Sequence, residues 1–334
     1  MKNRDRISRL NRRQLLGTLA AAPAVAQSAA AKSKPKEPFR GVFTIPSTPF
    51  QPNGEIDIPS FRRVIDFCVA CGAHGLLFPV NASEWAVLSD DERFQLDKVL
   101  VEQNRGRLPV VIGVQASAAE NAAKFAAHAR DIGADAVMAM PPRGGGSPAV
   151  LFNYYRRISE TARLPVFVQD HDPPAGTPMP VDFLTRLCRE LEYVKYFKEE
   201  ASPTTFKITA VLKGANGACK GVFGGAGGRY LIEEHRRGAC GQMPGCHVTD
   251  VVVALWNALE KGDQARAMHI YKEMAPLFFF ETQLGGCYKE VLYRRGVIAC
   301  PLKREGAMPM DDVASRYLDQ ILKDLEPLTT WKKS

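Results

Sequence analysis

The sequence predicts an α/β fold, a (β/α)8 TIM barrel with a C-terminal helical extension, on three observations. From about residue 40, short apolar runs alternate with longer amphipathic stretches, and eight such pairs fit before residue 261. The short runs are apolar throughout, as strands are when helices cover one face and a barrel interior the other. Beyond residue 261 the pattern is helical only, with no further strand-like run. Eight β-then-α units favour a closed barrel over an open doubly wound sheet.

The units follow in order. Gly41–Pro46 reads as a strand and Pro59–Cys71 as a helix, then His74–Phe78 and Asp90–Asn104, the latter opened by Ser89 as its cap. Pro109–Gly113 precedes Ala118–Ile132, and Ala136–Met140 precedes Pro148–Thr161. Pro165–Gln169 precedes Pro180–Glu190, and Tyr193–Lys198 precedes Pro203–Leu212. Cys219–Phe223 precedes Gly228–Arg236, and a short run at Ala239–Met243 precedes Val248–Glu260. The barrel is thus expected over 39–261, three packed helices over 262–325 and a tail at 326–334. The glycine-rich stretches Gly144–Gly146 and Gly224–Gly228 fall between strand and helix, on the face where such barrels do chemistry.

The first 26 residues read as an export signal rather than as fold. A basic start carries Arg12-Arg13-Gln14-Leu15-Leu16, then an Ala/Leu-rich run reaches Ala24-Val25-Ala26, a small-x-small cleavage pattern. The paired arginines suggest twin-arginine export to the periplasm; failing that signal, the chain is cytoplasmic. The apolar run is too short to span a membrane and is broken by Pro23. Residues 27–38 read as a linker. The full chain has 44 basic and 36 acidic residues, net +8; removing six basic residues and one acid with the signal leaves 38 and 35, net +3. That balance, with no basic-aromatic stripe, excludes a nucleic-acid footprint. The eight cysteines have no zinc spacing, and several lie in apolar runs where buried free thiols are common; Cys240 and Cys246 are the pair to check for a disulfide.

Lys198 is the residue through which chemistry is expected. It ends the apolar run Tyr193–Lys198, directly before Glu199-Glu200 and a turn. An amine attacks a carbonyl only when neutral, and apolar neighbours such as Phe197 disfavour the ammonium form. Its competitor Lys195 lies on the opposite strand face, because alternation groups 194, 196 and 198. Asp170, His171 and Asp172 follow the fifth run at the same rim, where the prolines 173 and 174 also suggest a plain turn. His171 could carry a proton, whereas a metal ligated by this trio has no recognisable spacing to support it. Gly224 and Gly225 lack the Lys-Ser/Thr of a phosphate loop and read as a tight loop letting backbone approach a substrate.

Taken together, the opening Gly41…Pro46-x-Thr48-Pro49-Phe50, the loop Asn81-Ala82-Ser83-Glu84, the run Leu164-Pro165-Val166 and the strand end Phe197-Lys198-Glu199 resemble the dihydrodipicolinate synthase / N-acetylneuraminate lyase superfamily over about residues 39–325. The resemblance implies a dimeric or tetrameric barrel with no metal or organic cofactor. Lys198 then forms a Schiff base with pyruvate or another small 2-oxo acid. It also implies a carboxylate pocket at Asn81, Ala82 and Ser83, where the family's usual hydroxyl pair is missing. Gln169 stands where a proton-passing tyrosine is usual; Gln cannot titrate but can orient a substrate group. Arg143 stands where the family often has tyrosine and could hold a carboxylate, or could be a solvated loop residue. These departures argue against dihydrodipicolinate synthase proper and towards 2-oxo-3-deoxy sugar-acid aldolases and dehydratases. The alternative from a different class is a catalytically weak or inert barrel that binds a sugar acid, distinguished by whether any titratable group faces Lys198.

Overall fold

The computed structural model describes residues 38–284, 287–306 and 309–332. The segment read above as an export signal, and all but the last residue of the expected linker, lie outside them. Eight parallel strands close a barrel in chain order: β1 (Gly41–Thr44), β2 (Gly75–Phe78), β3 (Val110–Gly113), β4 (Ala136–Ala139), β5 (Val166–His171), β6 (Val194–Glu200), β7 (Gly221–Gly224) and β8 (Gly241–Gln242). β8 pairs back to β1 through Gly41↔Gly241 and Val42↔Gln242, so no strand edge is left to be covered.

Helices α1 (Ile58–Ala70), α2 (Asp90–Asn104), α3 (Ala119–Asp131), α4 (Pro148–Ala162), α5 (Val181–Glu190), α6 (Thr204–Gly214), α7 (Leu231–Arg236) and α8 (Thr249–Glu260) follow the strands one by one. The C-terminal extension is α9 (Gln264–Gln283), α10 (Cys287–Arg294) and α11 (Asp312–Leu325). The expected cap of α2 is a full capping box: Glu92 N donates to Ser89 Oγ at 3.2 Å and Ser89 N donates to Glu92 Oε2 at 2.9 Å. No described helix is long and apolar enough to cross a membrane.

The barrel interior below the site is filled with rings. Phe167 stacks on Tyr196 with centroids 4.6 Å apart, Phe223 meets Phe43 edge-on at 5.2 Å, and Phe39 closes the bottom against Tyr196 at 5.3 Å. These fully packed aromatics make a floor, so only the C-terminal mouth of the barrel is open to a ligand.

Three expectations change. β5 and β6 run two residues beyond Gln169 and Lys198, because each supplies the other with partners, Asp170↔Glu199 and His171↔Glu200. Glu199 and Glu200 therefore extend the strand, and Asp170 and His171 are strand residues and not a turn. A register shift at Val166/Phe167 moves Val194 to the outer, helix-facing core beside Phe197, while Tyr196 points inward, so the expected face grouping of Val194 fails. The seventh helix starts at Leu231, after an irregular turn at Ala226–Gly228, instead of at Gly228. Within the expected tail, Trp331 packs edge-on against Phe67 at 5.2 Å, and Thr330 N donates to Asp250 Oδ2 at 2.8 Å. All eight cysteines are free thiols, Cys240 and Cys246 included.

Candidate active site at the barrel mouth

A cavity of about 440 Å³ opens at the C-terminal ends of the strands. Lys198 and Glu200 reach it from β6, Gln169 and His171 from β5. Strand alternation explains the pairing: residues 198 and 200 share the inward face, and Phe197 and Glu199 the outward one. Lys198 is 3% exposed, and its Nζ lies 2.9 Å from Glu200 Oε2.

Glu200 is the best-held group in the cavity. Gln169 Nε2 donates to its Oε2 at 2.6 Å, and Ala226 N donates to its Oε1 at 2.9 Å. Burial works to raise its pKa, but the Lys198 charge, His171 and the Ala226 amide outweigh burial and hold it below the ordinary carboxylate value. Resting Glu200 is thus a carboxylate ion-paired to Lys198, a proton acceptor in direct contact with the ammonium.

Gly225 makes this contact possible. A Cβ there would lie 2.1 Å from Glu200 Oε1 and 2.3 Å from its Cγ, which no adjustment of a nine-tenths buried side chain can absorb. We expect Gly225→Ala to displace Glu200 and lower kcat by roughly 10²-fold, the usual cost of an ångström-scale misplacement. Steady-state kinetics on the purified variant, with its circular dichroism as a fold control, checks this.

Behind the strands lies a second charged group that does not face the cavity. Lys207 of α6 ion-pairs with Asp170 Oδ2 and sits 3.6 Å from Glu199 Oε1, while Met179 N donates to Asp170 Oδ1 at 2.8 Å. Burial, and then the Asp170 charge, push Glu199 up to about 9, so it is neutral at ordinary pH. This cluster ties β5 and β6 to α6 at the level of Lys198.

The opposite wall is a short helical turn, Asn81–Ser83, whose Asn81 and Ala82 line the cavity. The first amides of such a turn have no acceptor within it and are available to an anion. The floor of the turn is fixed: Ser83 Oγ donates to Pro46 O at 2.8 Å and Thr48 Oγ1 donates to Ser83 O at 2.6 Å. From the far side come Arg229 and Tyr230 after β7, and Tyr288 from α10. Tyr288 stacks on His247 with centroids 4.3 Å apart, and burial raises its phenol well above the usual value. The Arg229 Nε is buried and has no hydrogen-bond partner among the described residues.

Comparison with known proteins adds the family. The model of the dihydrodipicolinate synthetase family matches residues 38–325. The chain belongs to the dihydrodipicolinate synthetase family. The chain is 31% identical over 295 residues to the L-2-keto-3-deoxyarabonate dehydratase of Azospirillum brasilense, covering 86% of this chain and 95% of that protein. It is 27% identical over 250 residues to a 4-hydroxy-tetrahydrodipicolinate synthase of Bradyrhizobium diazoefficiens, covering 74% and 82%. Among solved structures, dihydrodipicolinate synthase from Rhodopseudomonas palustris superposes with a TM-score of 0.79 at 25% identity, covering 86% of this chain and 97% of that one. A prophage protein of E. coli K12, crystallised with pyruvate, superposes at 0.80 with 23% identity, covering 87% and 99%, which speaks to fold alone. As a dihydrodipicolinate synthetase family member the protein is an enzyme, a lyase.

Within this family site, the structure brings Lys198, Gln169, His171, Asn81 and Ala82 together around one cavity. It does not bring the others. Arg143 is exposed on its glycine loop and away from the cavity, the solvated reading of the two. Ser83 is fully buried with its hydroxyl spent on Pro46, so it cannot serve as a substrate donor. Gly224 and Gly225 stop short of the cavity wall, which Ala226 and Gly227 form. Gly225 serves Glu200 by leaving room for it. His171 is held by its own strand end, with Nδ1 2.8 Å from the Asp172 carbonyl. Asp170 turns to Lys207 behind the strands, while His171 and Asp172 line the cavity and Asp172 also accepts from Ser202 N, so the three do not converge. Sequence reasoning missed Glu200, Arg229, Tyr230 and Tyr288. Only Glu200 had a legible signal, the Lys-x-Glu spacing that places both side chains on one strand face.

Proposed function

We propose that the protein is a lysine Schiff-base dehydratase of 2-oxo-3-deoxy sugar acids, with Lys198 as nucleophile and Glu200 as the proton carrier. The observation that carries this is the buried contact of Lys198 Nζ with Glu200 Oε2 at 2.9 Å, inside a cavity lined by Asn81 and Ala82. The dehydratase relative, which the chain matches over nearly its whole length, supports the substrate class.

The steps follow from where the charges sit. Glu200 takes the Lys198 proton, and the free amine adds to the C2 carbonyl; Glu200 then returns the proton to the carbinolamine hydroxyl, which leaves as water to give an iminium and the carboxylate again. The substrate carboxylate rests on the Asn81–Ala82 amides. A carboxylate beside the imine nitrogen reaches C3, two bonds away, and removes its proton to give an enamine. That step also removes the positive charge that held the Glu200 pKa down, so the carboxyl keeps the proton. It then protonates the C4 hydroxyl, which leaves as water; a proton shift from C5 to C3 gives the C5 enol, which becomes the aldehyde, and a second water hydrolyses the imine to free the dioxo acid and Lys198. Aldol cleavage would need a base at the C4 hydroxyl instead, and the tyrosine usual for proton transfer is Gln169 here. We assign the hydroxyl tail of the substrate to the Arg229 side of the cavity, because that side chain lines its wall.

The test is product analysis with a 2-oxo-3-deoxypentonate. Dehydration yields a single five-carbon dioxo acid, lighter by one water. Formation of pyruvate with a two-carbon aldehyde would show an aldolase, and no turnover with a ligand-induced rise in Tm would favour a binding barrel.

A further inference from the structure

Two buried side chains that the reaction above does not use form an unusual contact. Glu234 of α7 is 1% exposed, and neither of its carboxyl oxygens has a hydrogen-bond partner among the described residues. Gln242 of β8 is fully buried; its Nε2 donates to Gly225 O at 2.6 Å, and its Oε1 is likewise unpartnered. The two meet over Gly224: a Cβ there would lie 1.9 Å from Glu234 Oε2 and 2.4 Å from Gln242 Oε1. Two acceptors face each other with no donor between them, an arrangement that one proton on the carboxyl turns into a hydrogen bond.

We propose that Glu234 is a positioning residue: as a neutral carboxyl it donates to Gln242 Oε1, and through Gln242 and one peptide group it fixes Glu200 against Lys198. The route is continuous. Gln242 Nε2 holds the carbonyl of Gly225, and the amide of that same peptide, Ala226 N, donates to Glu200 Oε1 at 2.9 Å. Hydrogen bonds in such a chain polarise one another, so a donor at one end strengthens the amide offered at the other. The orientation of Gln242 decides the matter. A charged Glu234 would draw the amide nitrogen of Gln242 towards itself and release the Gly225 carbonyl. A neutral one accepts the orientation observed.

The surroundings agree. The titratable groups that act on Glu234 are Glu200 of β6, Glu233 on its own helix and Tyr271 of α9; none is a cation. Burial first, and then the Glu200 charge, raise its pKa to about 8. It is therefore neutral through the physiological range and ionises as the pH rises past that value. The inference rests on the reading of Lys198 and Glu200 as the reacting pair.

Three forms of the enzyme test it, each assayed for kcat and KM across pH. In the wild type, kcat falls as pH rises past about 8. Glu234→Gln still donates to Gln242, so it keeps kcat within about threefold at neutral pH and loses that alkaline limb. Glu234→Leu donates nothing and lowers kcat by roughly tenfold with KM little changed. A Glu234→Gln enzyme that retains the wild-type alkaline limb, or a Glu234→Leu enzyme with wild-type kcat, overturns the proposal. Borohydride capture of a 2-oxo acid on Lys198 separates the causes: captured adduct in Glu234→Leu shows that the variant is folded and forms the imine. If even the wild type captures nothing, the Lys198 reading fails. Carboxyl-carbon NMR of the ligand-free protein then judges Glu234 alone: a titration near pH 8 that Glu234→Gln removes supports it, and one that persists sinks it.

Discussion

Borohydride reduction of the protein with pyruvate or a 2-oxo-3-deoxy acid will leave one stable adduct, on Lys198, and Lys198→Ala will take none and lose at least ~10⁴-fold in kcat. The physical case is the exclusion of alternatives. Lys195 is on the outer side of the barrel, its Nζ 3.5 Å from the Cys188 carbonyl, and Lys207 is engaged with Asp170 and Glu199 behind the strands. Lys198 is the lysine lining the cavity. Removing it leaves Glu200 in a buried site with Ala226 N and Gln169 Nε2 still donating, so the variant should fold, at some cost in stability. Peptide mass spectrometry locates the adduct, and a thermal melt of the variant guards against a trivial loss. An adduct on another lysine, or none with any 2-oxo acid, ends the Schiff-base reading.

The second large effect is at Glu200. Glu200→Gln keeps the shape and still contacts Lys198, but cannot take a proton; kcat should fall by about 10²- to 10⁴-fold, the range for loss of a general base. Trapping on Lys198 should persist, more slowly, because imine formation needs the lysine and only assistance from the carboxylate. In the wild type the pH profile has a definite sign. Glu200 is held below the ordinary carboxylate value of 4.5, so its ionised form, and with it kcat, persists at pH 4.5 and is lost only as the pH falls further through its depressed pKa. Glu200→Gln should lack that acid limb. Wild-type turnover by Glu200→Gln would move the proton carrier to another titratable group on the wall, among them His171, Asp172, Tyr230 and Tyr288.

Some of this was written locally along the chain. Strands announced themselves as short apolar runs, helices as amphipathic stretches with caps such as Ser89–Glu92, and each signal needs only a few neighbouring residues. The lysine at the end of the sixth run could therefore be named from the chain itself, and the Asn81–Ala82 loop and Gln169 through the family resemblance; all of them line one cavity. Lys198 and Glu200 share a face because a strand alternates, which is also local; it was hidden only by ending the strand too early.

What escaped depends on contacts between distant segments. β5 and β6 lengthen because each pairs with the other, and the shift at Val166/Phe167 that turns Val194 outward exists only in that pairing. Whether Arg143 or Arg229 lines the cavity depends on how two loops fold over the mouth, and Tyr288 arrives from a helix beyond the barrel. The free oxygens of Glu234 and Gln242 meet because α7 and β8 converge over Gly224. The sequence by itself determined the barrel and a lysine at the rim of its sixth strand, since periodicity and residue type are properties of short stretches, and the lyase class followed from the family resemblance. Only the tertiary structure decided which charges are buried together, because burial and pairing, and hence proton affinity, belong to the space between elements and not to any one of them.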